Sequence, residues 1–124
     1  MKNLSFRNEI YKYVSEKYNT KPEYLWFKYP SFAVFRNSKN NKWFGIIMNV
    51  PYAKFGIKNN QITDVINVKV DDILLRELLV NQHGFFKGYH MSNNWVSILL
   101  DGTVELQQIF NLIDSSYLSI ANKK

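Results

Sequence analysis

The stretch that decides the fold runs from residue 84 to residue 102 and reads GFFKGYHMSNNWVSILLDG. Two runs rich in apolar and aromatic residues, 86–91 and 95–100, are separated by the short polar segment 92–94. β-Branched and aromatic residues favour strands, and a connection this short joins neighbouring antiparallel strands. The stretch therefore predicts a β-hairpin, and with it an antiparallel sheet.

Three further strand-like runs precede the hairpin, at 32–36, 43–50 and 64–70. They are rich in β-branched and aromatic residues and are separated by polar segments that carry Asn and Lys. Apolar and polar residues alternate in the last run. The side chains predicted to face the core are those of Ile66, Val68 and Val70. Asn67 and Lys69 face the other way.

The N-terminal residues predict an amphipathic helix followed by a shorter element. Apolar side chains recur at helical spacing, at Phe6, Ile10, Tyr13, Val14 and Tyr18. Asn3 or Ser5 is placed to cap this helix. A short second turn or helix starts at Pro22 and runs through Leu25. Pro30 closes it, because the residue before a proline is pushed away from helical dihedrals.

Two longer helical patterns lie on either side of the hairpin. Asp71 is placed to cap the first, and Gly84 to end it in the left-handed conformation. The side of this helix that is predicted to pack on the core carries Leu74, Leu75, Leu78 and Leu79. Thr103 is placed to cap the second helix. Its apolar stripe consists of Leu106, Ile109, Phe110, Ile113 and Tyr117.

The order of elements is therefore helix, short helix, three strands, helix, two strands, helix. Hairpin-length connections favour an antiparallel sheet covered by helices, an α+β architecture, over alternating βαβ units. A chain of 124 residues is of common size for one domain, and no linker or repeat divides it. Residues 1–124 are expected to form a single domain, with Lys123 and Lys124 as a loose tail.

The residues needed for common catalytic and metal sites are missing. The chain has no Cys and only two histidines, His83 and His90, which cannot supply the ligands of a zinc site. It contains neither a Gly-x-Ser-x-Gly elbow nor a glycine-rich phosphate loop. We therefore expect a domain that is not an enzyme and that holds no cofactor or metal.

No apolar run approaches the ~18 residues of a membrane span, and residues 1–18 do not resemble a signal peptide. The absence of Cys gives no sign of an oxidising compartment. We expect a cytoplasmic protein without membrane contact.

The net charge of +6 is unevenly spread along the chain. Residues 1–60 carry 11 Lys and Arg against 3 Asp and Glu, and residues 61–124 carry 5 against 7. Basic residues alternate with an aromatic one on the first hairpin and its flank, at Arg36, Lys39, Lys42, Trp43, Lys54 and Lys58. Such a set can neutralise phosphates while the aromatic ring stacks on a base. The alternative interpretation is that Trp43 lies in the core and the lysines solubilise turns or block edge pairing.

Residues 84–102 resemble the signature of the MmcQ/YjbR-like family. Further matches occur at 22–26, 32–36, 41–44, 65–69 and 112–117. The resemblance implies an α+β fold with a five-stranded antiparallel sheet, similar to that of secretion chaperones. It also implies a double-wing DNA-binding motif, in which hairpins project toward the duplex.

The sequence departs from the family pattern at the tip of the second hairpin. Relatives commonly have Asn-Lys-x-His-Trp before the last strand, whereas this chain has the shorter Ser92-Asn93-Asn94-Trp95. The change removes positive charge from a wing tip. The resemblance therefore implies a weaker hold on phosphate by this hairpin.

Three functions follow from these observations. The first is non-catalytic DNA binding, in which Lys39, Lys42, Lys54 and Lys58 contact phosphate and Lys87 flanks the second hairpin. The second is a protein-interaction or chaperone-like module, which acts as a monomer or weak homodimer. The third is a small-ligand pocket lined by Trp26, Trp43, Tyr89, His90 and Trp95, although core packing explains the same residues.

Overall fold

The computed structural model describes residues 4–121. Its three helices are α1 (Arg7–Tyr18), α2 (Ile73–Val80) and α3 (Leu106–Ala121). Its five strands are β1 (Ala33–Arg36), β2 (Trp43–Pro51), β3 (Ile62–Lys69), β4 (Phe85–Lys87) and β5 (Trp95–Leu99). A single 3-10 turn, Tyr52–Phe55, follows β2. Within residues 4–121, no helix is long and apolar enough to cross a membrane.

The five strands form one antiparallel sheet in the order β1-β2-β3-β5-β4. This confirms the predicted α+β class and the five-stranded antiparallel sheet. Because each strand reverses direction, the β1–β2 turn and the β4–β5 hairpin leave the sheet at the same end. We call it the hairpin end. The β2–β3 connection lies at the opposite end.

One face of the sheet packs against all three helices. Phe35, Phe44, Ile47 and Ile66 meet α1 through Ile10 and Val14, and α3 through Ile109 and Ile113. Ile66, Val68 and Val70 belong to this cluster, as the alternation in β3 predicted. Burial of these large side chains, each contributing about 1.5–3 kcal/mol, is the main force that holds the helices to the sheet.

The other face of the sheet is also apolar, although none of the helices α1, α2 and α3 covers it. Its buried floor consists of Val34, Ile46, Met48, Val50, Tyr52, Val65 and Leu99. Partly buried side chains close over the floor, among them Trp26 and Phe32 from the segment before β1, Phe55 from the 3-10 turn and Phe86 from β4. Asn67 points to this side, as predicted, yet it is fully buried. We call this side the helix-free face.

Residues 22–25 do not form the predicted second helix. The segment is extended, and Glu23 makes an antiparallel bridge with Val34, with both backbone hydrogen bonds at 2.9 Å. These bonds to the outer edge of β1 satisfy backbone groups that a helical turn would have used internally. The sequence predicted two helices before the first strand, and the structure has one.

Helix α2 differs from its prediction in cap and burial. Asp72, not Asp71, is the N-cap, and its carboxylate accepts from the Leu75 N–H at 3.1 Å. Of the four leucines only Leu79 is buried, while Leu74 and Leu78 are 76% and 65% exposed. Helix α2 lies at the edge of the sheet, against β4 and β5, so only one narrow side of the helix reaches the core.

The other predicted caps also shift. Ser5 accepts from the Arg7 N–H at 3.2 Å, but the N-cap of α1 is Phe6, and Asn3 lies outside the described residues, as do Lys123 and Lys124. Thr103 donates to Asp101 and does not cap α3, which begins three residues later. Gly84 has the expected left-handed φ of 93°, four residues beyond the end of α2.

An ion pair ties α1 to the sheet. The guanidinium of Arg7 donates to both carboxylate oxygens of Asp64, at 2.9 and 3.0 Å, and Ser5 donates to the same carboxylate at 2.7 Å. Burial alone would raise the pKa of Asp64, but the hydrogen bonds from Arg7 and Ser5 hold that pKa below its usual value. The charged carboxylate therefore stabilises the folded state.

We expect Asp64→Asn to lower the free energy of unfolding at pH 7 by roughly 2 kcal/mol, because Arg7 loses its charged partner. The folded-state pKa is depressed, so this stability is present above the unfolded pKa of about 4 and lost as pH falls through the folded pKa. Urea unfolding at pH 7 and at acid pH tests this. The control is Glu105→Gln, which changes an exposed carboxylate. If Asp64→Asn lowers the free energy of unfolding equally at both pH values, the prediction is wrong.

Candidate nucleic-acid interface and aromatic pocket

The β1–β2 turn is shaped by asparagines. The backbone N–H groups of Lys39 and Lys42 donate to the side-chain oxygens of Asn37 and Asn40, at 2.8 and 3.0 Å. The amide of Asn40 donates to the carbonyl of Ile120, at 2.8 Å, which ties the turn to the end of α3. Lys39 is consequently an exposed cation on a defined turn.

The β4–β5 hairpin is fixed at its base and at its tip. Gly88 donates to the Trp95 carbonyl at 3.0 Å, and a Cβ at Gly88 would lie 2.8–3.0 Å from Trp95 atoms. That approach is closer than real side chains tolerate, so the base requires glycine. At the tip, Asn94 donates to the Asp71 carboxylate at 3.2 Å. This contact links the hairpin to the start of α2.

A polar cleft lies beside each of these two turns. The cleft next to the β1–β2 turn has a volume of about 400 Å³ and includes Lys21, Glu23, Arg36, Ser38 and Asn41. The cleft between α2 and the β4–β5 hairpin has a volume of about 460 Å³ and includes Arg76, Glu77, Lys87, Ser92 and Asn93. Each set combines two cations, one carboxylate, a serine and an asparagine. Both clefts offer the donors that bind phosphate oxygens.

The predicted basic residues divide between the two ends of the sheet. Lys39, Lys42 and Lys87 lie at the hairpin end, with Arg36. Lys54 and Lys58 follow β2 at the opposite end, roughly 27 Å away along a nine-residue strand. The structure therefore does not gather the six residues into one patch. Arg76, which sequence reasoning missed, lies on α2, where nothing in the sequence separates it from a solvated helix residue.

Arg36 is already engaged. Its guanidinium donates to Glu23 at 2.8 Å and lies 5.7 Å from the centre of the Trp43 ring. Arg76 donates to the carbonyl of Val70 at 2.7 Å. These contacts hold both guanidinium groups in place at the edges of their clefts.

An aromatic pocket of about 550 Å³ lies on the helix-free face. Its floor is formed by Ile46 and Met48 of β2. Its walls come from three places: the segment before β1 with Trp26, Tyr29 and Phe32, the start of β2 with Trp43, and the segment after β4 with Tyr89, His90 and Met91. Trp26 and Trp43 stand perpendicular, with ring centres 5.9 Å apart. Asn49 and Pro51 complete the lining, and none of the described residues that form it is an Asp, Glu, Lys or Arg.

His90 does not lie on a strand, contrary to expectation. Strand β4 ends at Lys87, and the N–H of Tyr89 donates to the Ser97 hydroxyl at 2.9 Å instead of continuing the ladder. His90 then adopts a φ of 57°, a left-handed conformation that is uncommon for any residue other than glycine. Its ring packs edgewise on Tyr89, with centres 4.1 Å apart.

Four of the five residues predicted for a small-ligand pocket line this one: Trp26, Trp43, Tyr89 and His90. Trp95 does not. It is almost fully buried and borders the polar cleft next to α2. Sequence reasoning also missed Tyr29, Met48 and Met91. No pattern in the sequence shows that the segment before β1, with Tyr29, and the segment after β4, with Met91, fold over Met48 on the helix-free face.

Within residues 4–121, no group of three or more His, Cys, Asp or Glu side chains is placed to hold a metal ion. The cavities described above, two polar clefts and one aromatic pocket, are candidate sites for a partner.

Comparison with known proteins identifies relatives along nearly the whole chain. Bacillus subtilis YyaQ, named as uncharacterized, is 40% identical over 112 residues, which cover 90% of this chain and 94% of YyaQ. A crystal structure of a Pseudomonas syringae protein is 37% identical, with a TM-score of 0.87 over 91% of this chain and 97% of that one.

Deinococcus radiodurans protein DR2400, whose title names the domain DUF419, shares the fold, with 20% identity and a TM-score of 0.72 over 97% of this chain and 81% of that one. The YjbR family model matches residues 15–119, which include β1 to β5 and most of α3. The chain belongs to the YjbR family.

Proposed function

We propose that this domain is a cytoplasmic, non-catalytic DNA-binding protein that contacts the phosphate backbone with the hairpin end of its sheet. The observation that carries the proposal is the set of cations at that end: two in each of the polar clefts beside the two turns, and Lys39 and Lys42 on the β1–β2 turn itself. Phosphate contacts of this kind supply most of the affinity of non-specific DNA binding.

The spacing of the two turns suits a duplex. The centres of the β1–β2 and β5–β4 pairs are three strand intervals apart, or about 14 Å, which is comparable with the ~12 Å width of the major groove. Asp71 and Asp72 follow the central strand β3 at this end, and Asp71 accepts from Asn94 at the tip of the second hairpin, so the two carboxylates repel phosphate between the first turn and that tip. The proposal is therefore two separate contacts, one at each edge of the sheet.

The tip of the second hairpin carries no cation, so its phosphate contact comes from the base. Lys87 on β4 and Arg76 on α2 provide the charge, and Ser92 and Asn93 add hydrogen-bonding groups. These residues support a contribution of the second hairpin to phosphate binding, which the uncharged sequence of its tip alone does not suggest.

The groups with perturbed pKa values support a binding role over a catalytic one. Active sites are where such shifts concentrate, yet here they belong to contacts between structural elements: α1 with β3, with α3 and with the segment before β1, and the 3-10 turn with the loop after β5. Burial and a hydrogen bond to Asp114 raise the pKa of Tyr18, and hydrogen bonds from Tyr18, Tyr13 and Lys17 outweigh burial to lower the pKa of Asp114. These groups join α1 to α3 and face none of the three cavities.

We expect Lys39→Glu with Lys42→Glu to weaken binding of a labelled ~30-bp duplex at least 10-fold. The slope of the logarithm of the binding constant against the logarithm of the salt concentration should fall in magnitude by about 2, because two phosphate contacts are lost. Fluorescence anisotropy over a salt series measures both. The matched control is Lys54→Glu with Lys58→Glu, which changes the net charge equally at the opposite end of the sheet. Equal losses for the two variants would mean that only net charge matters, and the proposed interface would be wrong.

A second candidate function, self-association, is favoured by the exposed side of α2. Ile73, Leu74, Leu75 and Leu78 are all exposed, a contiguous apolar row of the kind that marks protein interfaces. We propose that a second copy of the chain covers it. Antiparallel pairing would bring the acidic start of α2, at Asp71 and Asp72, to the end of the partner helix, where His83 and Lys87 follow. It would also oppose the two helix dipoles favourably.

We expect the molar mass from light scattering to rise above 14.7 kDa toward twice that value with concentration. Leu74→Glu with Leu78→Glu should restore the monomer mass, since a buried charge at the pair interface is costly. The control is Leu118→Glu, which changes an equally exposed leucine on α3. A mass that stays at 14.7 kDa up to a protein concentration of about 0.5 mM would contradict self-association. The apolar row on α2 would then be a binding surface for a different protein.

A further inference from the structure

The aromatic pocket has no part in either proposed interface. It opens on the helix-free face, between the segment before β1 and the turn after β4, and it is the most apolar of the three cavities. Its volume of about 550 Å³ lies within the 300–1,000 Å³ of typical small-molecule sites. Its ligand can be inferred from the shape, the charge and the polar groups of its lining.

The shape of the walls favours a flat ring. The perpendicular Trp26 and Trp43 present a ring face beside a ring edge, and Tyr29 stacks on Phe32 at 4.8 Å with planes 14° apart. Aromatic rings prefer offset-stacked or edge-to-face neighbours, and both are available here. Met48 and Met91 add polarizable thioethers, which pack well against ring edges.

The charge around the pocket argues against a cationic ligand. No Asp or Glu lines it, and the Trp43 ring already has the Arg36 guanidinium 5.7 Å from its centre. A ligand cation on the same ring would be repelled by Arg36 and would find no carboxylate. An aromatic cage for quaternary ammonium groups is therefore disfavoured.

Polar groups in the lining select a heterocycle over a hydrocarbon. Asn49 borders the pocket, where its side-chain oxygen accepts from Ser31 at 2.6 Å and its amide nitrogen is a hydrogen-bond donor. His90 supplies a ring nitrogen from a left-handed backbone, a strained arrangement of the kind found at ligand sites. A ring with both acceptors and donors along its edge matches these two groups.

We infer that the pocket binds a planar, uncharged heteroaromatic ring of the nucleobase class, stacked against the Trp26 and Tyr29 wall above Met48. The ring belongs either to a free nucleoside or to an unstacked base of a single strand. The inference does not rest on the hairpin-end proposal, since none of the cations at that end lines the pocket.

The test is NMR of the protein carrying ¹³C-methyl methionine, titrated with adenosine. We expect the Met48 and Met91 methyl signals to shift with a dissociation constant of about 1 mM or below, as a small ligand with one stacked ring allows. Choline and cyclohexanol serve as cationic and aliphatic comparison ligands. No shift with adenosine, or equal shifts with either comparison ligand, would overturn the inference.

Two matched variants locate the site. Tyr24 and Tyr29 are similarly exposed, at 55% and 53%, on the same segment, but only Tyr29 lines the pocket. Tyr29→Ala should weaken adenosine binding about 5- to 10-fold, and Tyr24→Ala should leave it unchanged. Equal effects would place adenosine elsewhere. Trp26→Ala, with an expected loss of 10-fold or more, provides a second variant if Tyr29→Ala proves unstable.

The source of the ring is settled in the same experiment. If a short single-stranded oligonucleotide shifts the same methyl signals at lower concentration than adenosine, the source of the ring is a nucleic-acid strand. If adenosine shifts them at lower concentration, the source is a free nucleoside. Repeating the titration with the Lys39→Glu, Lys42→Glu protein distinguishes adenosine binding in the aromatic pocket from duplex binding at the hairpin end. Adenosine binding should persist in that variant even if duplex binding proves absent from the wild-type protein.

Discussion

The structure depends on one constraint: the central strands are apolar on both sides, but helices cover only one side. Antiparallel sheets commonly leave one face in water, with polar side chains there. Here Ile46, Met48, Val65 and Leu99 occupy the second face and must be covered by something else. The segment before β1, the 3-10 turn and the β4–β5 connection provide much of the cover, which explains why the segment before β1 is extended along the sheet and why the β4–β5 connection folds back. A cavity remains between the first and the last of these segments.

A buried polar pair organises that loop cover. Asn67 lies in the middle of the second face, where an unpaired amide would be costly. The Ser97 hydroxyl donates to its side-chain oxygen, and the amide donates to the Met48 sulfur at 3.6 Å. Ser97 also accepts the N–H of Tyr89. The same hydroxyl therefore satisfies Asn67 and draws Tyr89 out of strand pairing to the wall of the pocket. The need to pair a buried amide thus sets the position of a residue that lines the pocket.

The sequence predicted the elements whose signals are local and missed those set by contacts distant in the chain. The strands, the antiparallel sheet and helices α1 and α3 follow from periodicity. Pro22 is a common start for a helix, but the hydrogen bonds of Glu23 with Val34 decide against one. Leu74 and Leu78 fit an apolar stripe, and only the position of α2 at the sheet edge shows that the stripe faces solvent. For the site, aromatic composition identified Trp26, Trp43, Tyr89 and His90, whereas the separation of Lys54 and Lys58 from Lys39 follows from the length of β2.

The β1–β2 turn owes its shape to asparagine side chains and its charge to lysines. Asn37 and Asn40 accept the backbone N–H groups, and Asn41 supplies the left-handed residue with a φ of 62°. The lysine side chains contribute nothing to these bonds. Form and charge are thus encoded by different positions, so the attraction of this turn for polyanions can be raised, lowered or inverted over evolution or by design while the backbone of the turn stays the same.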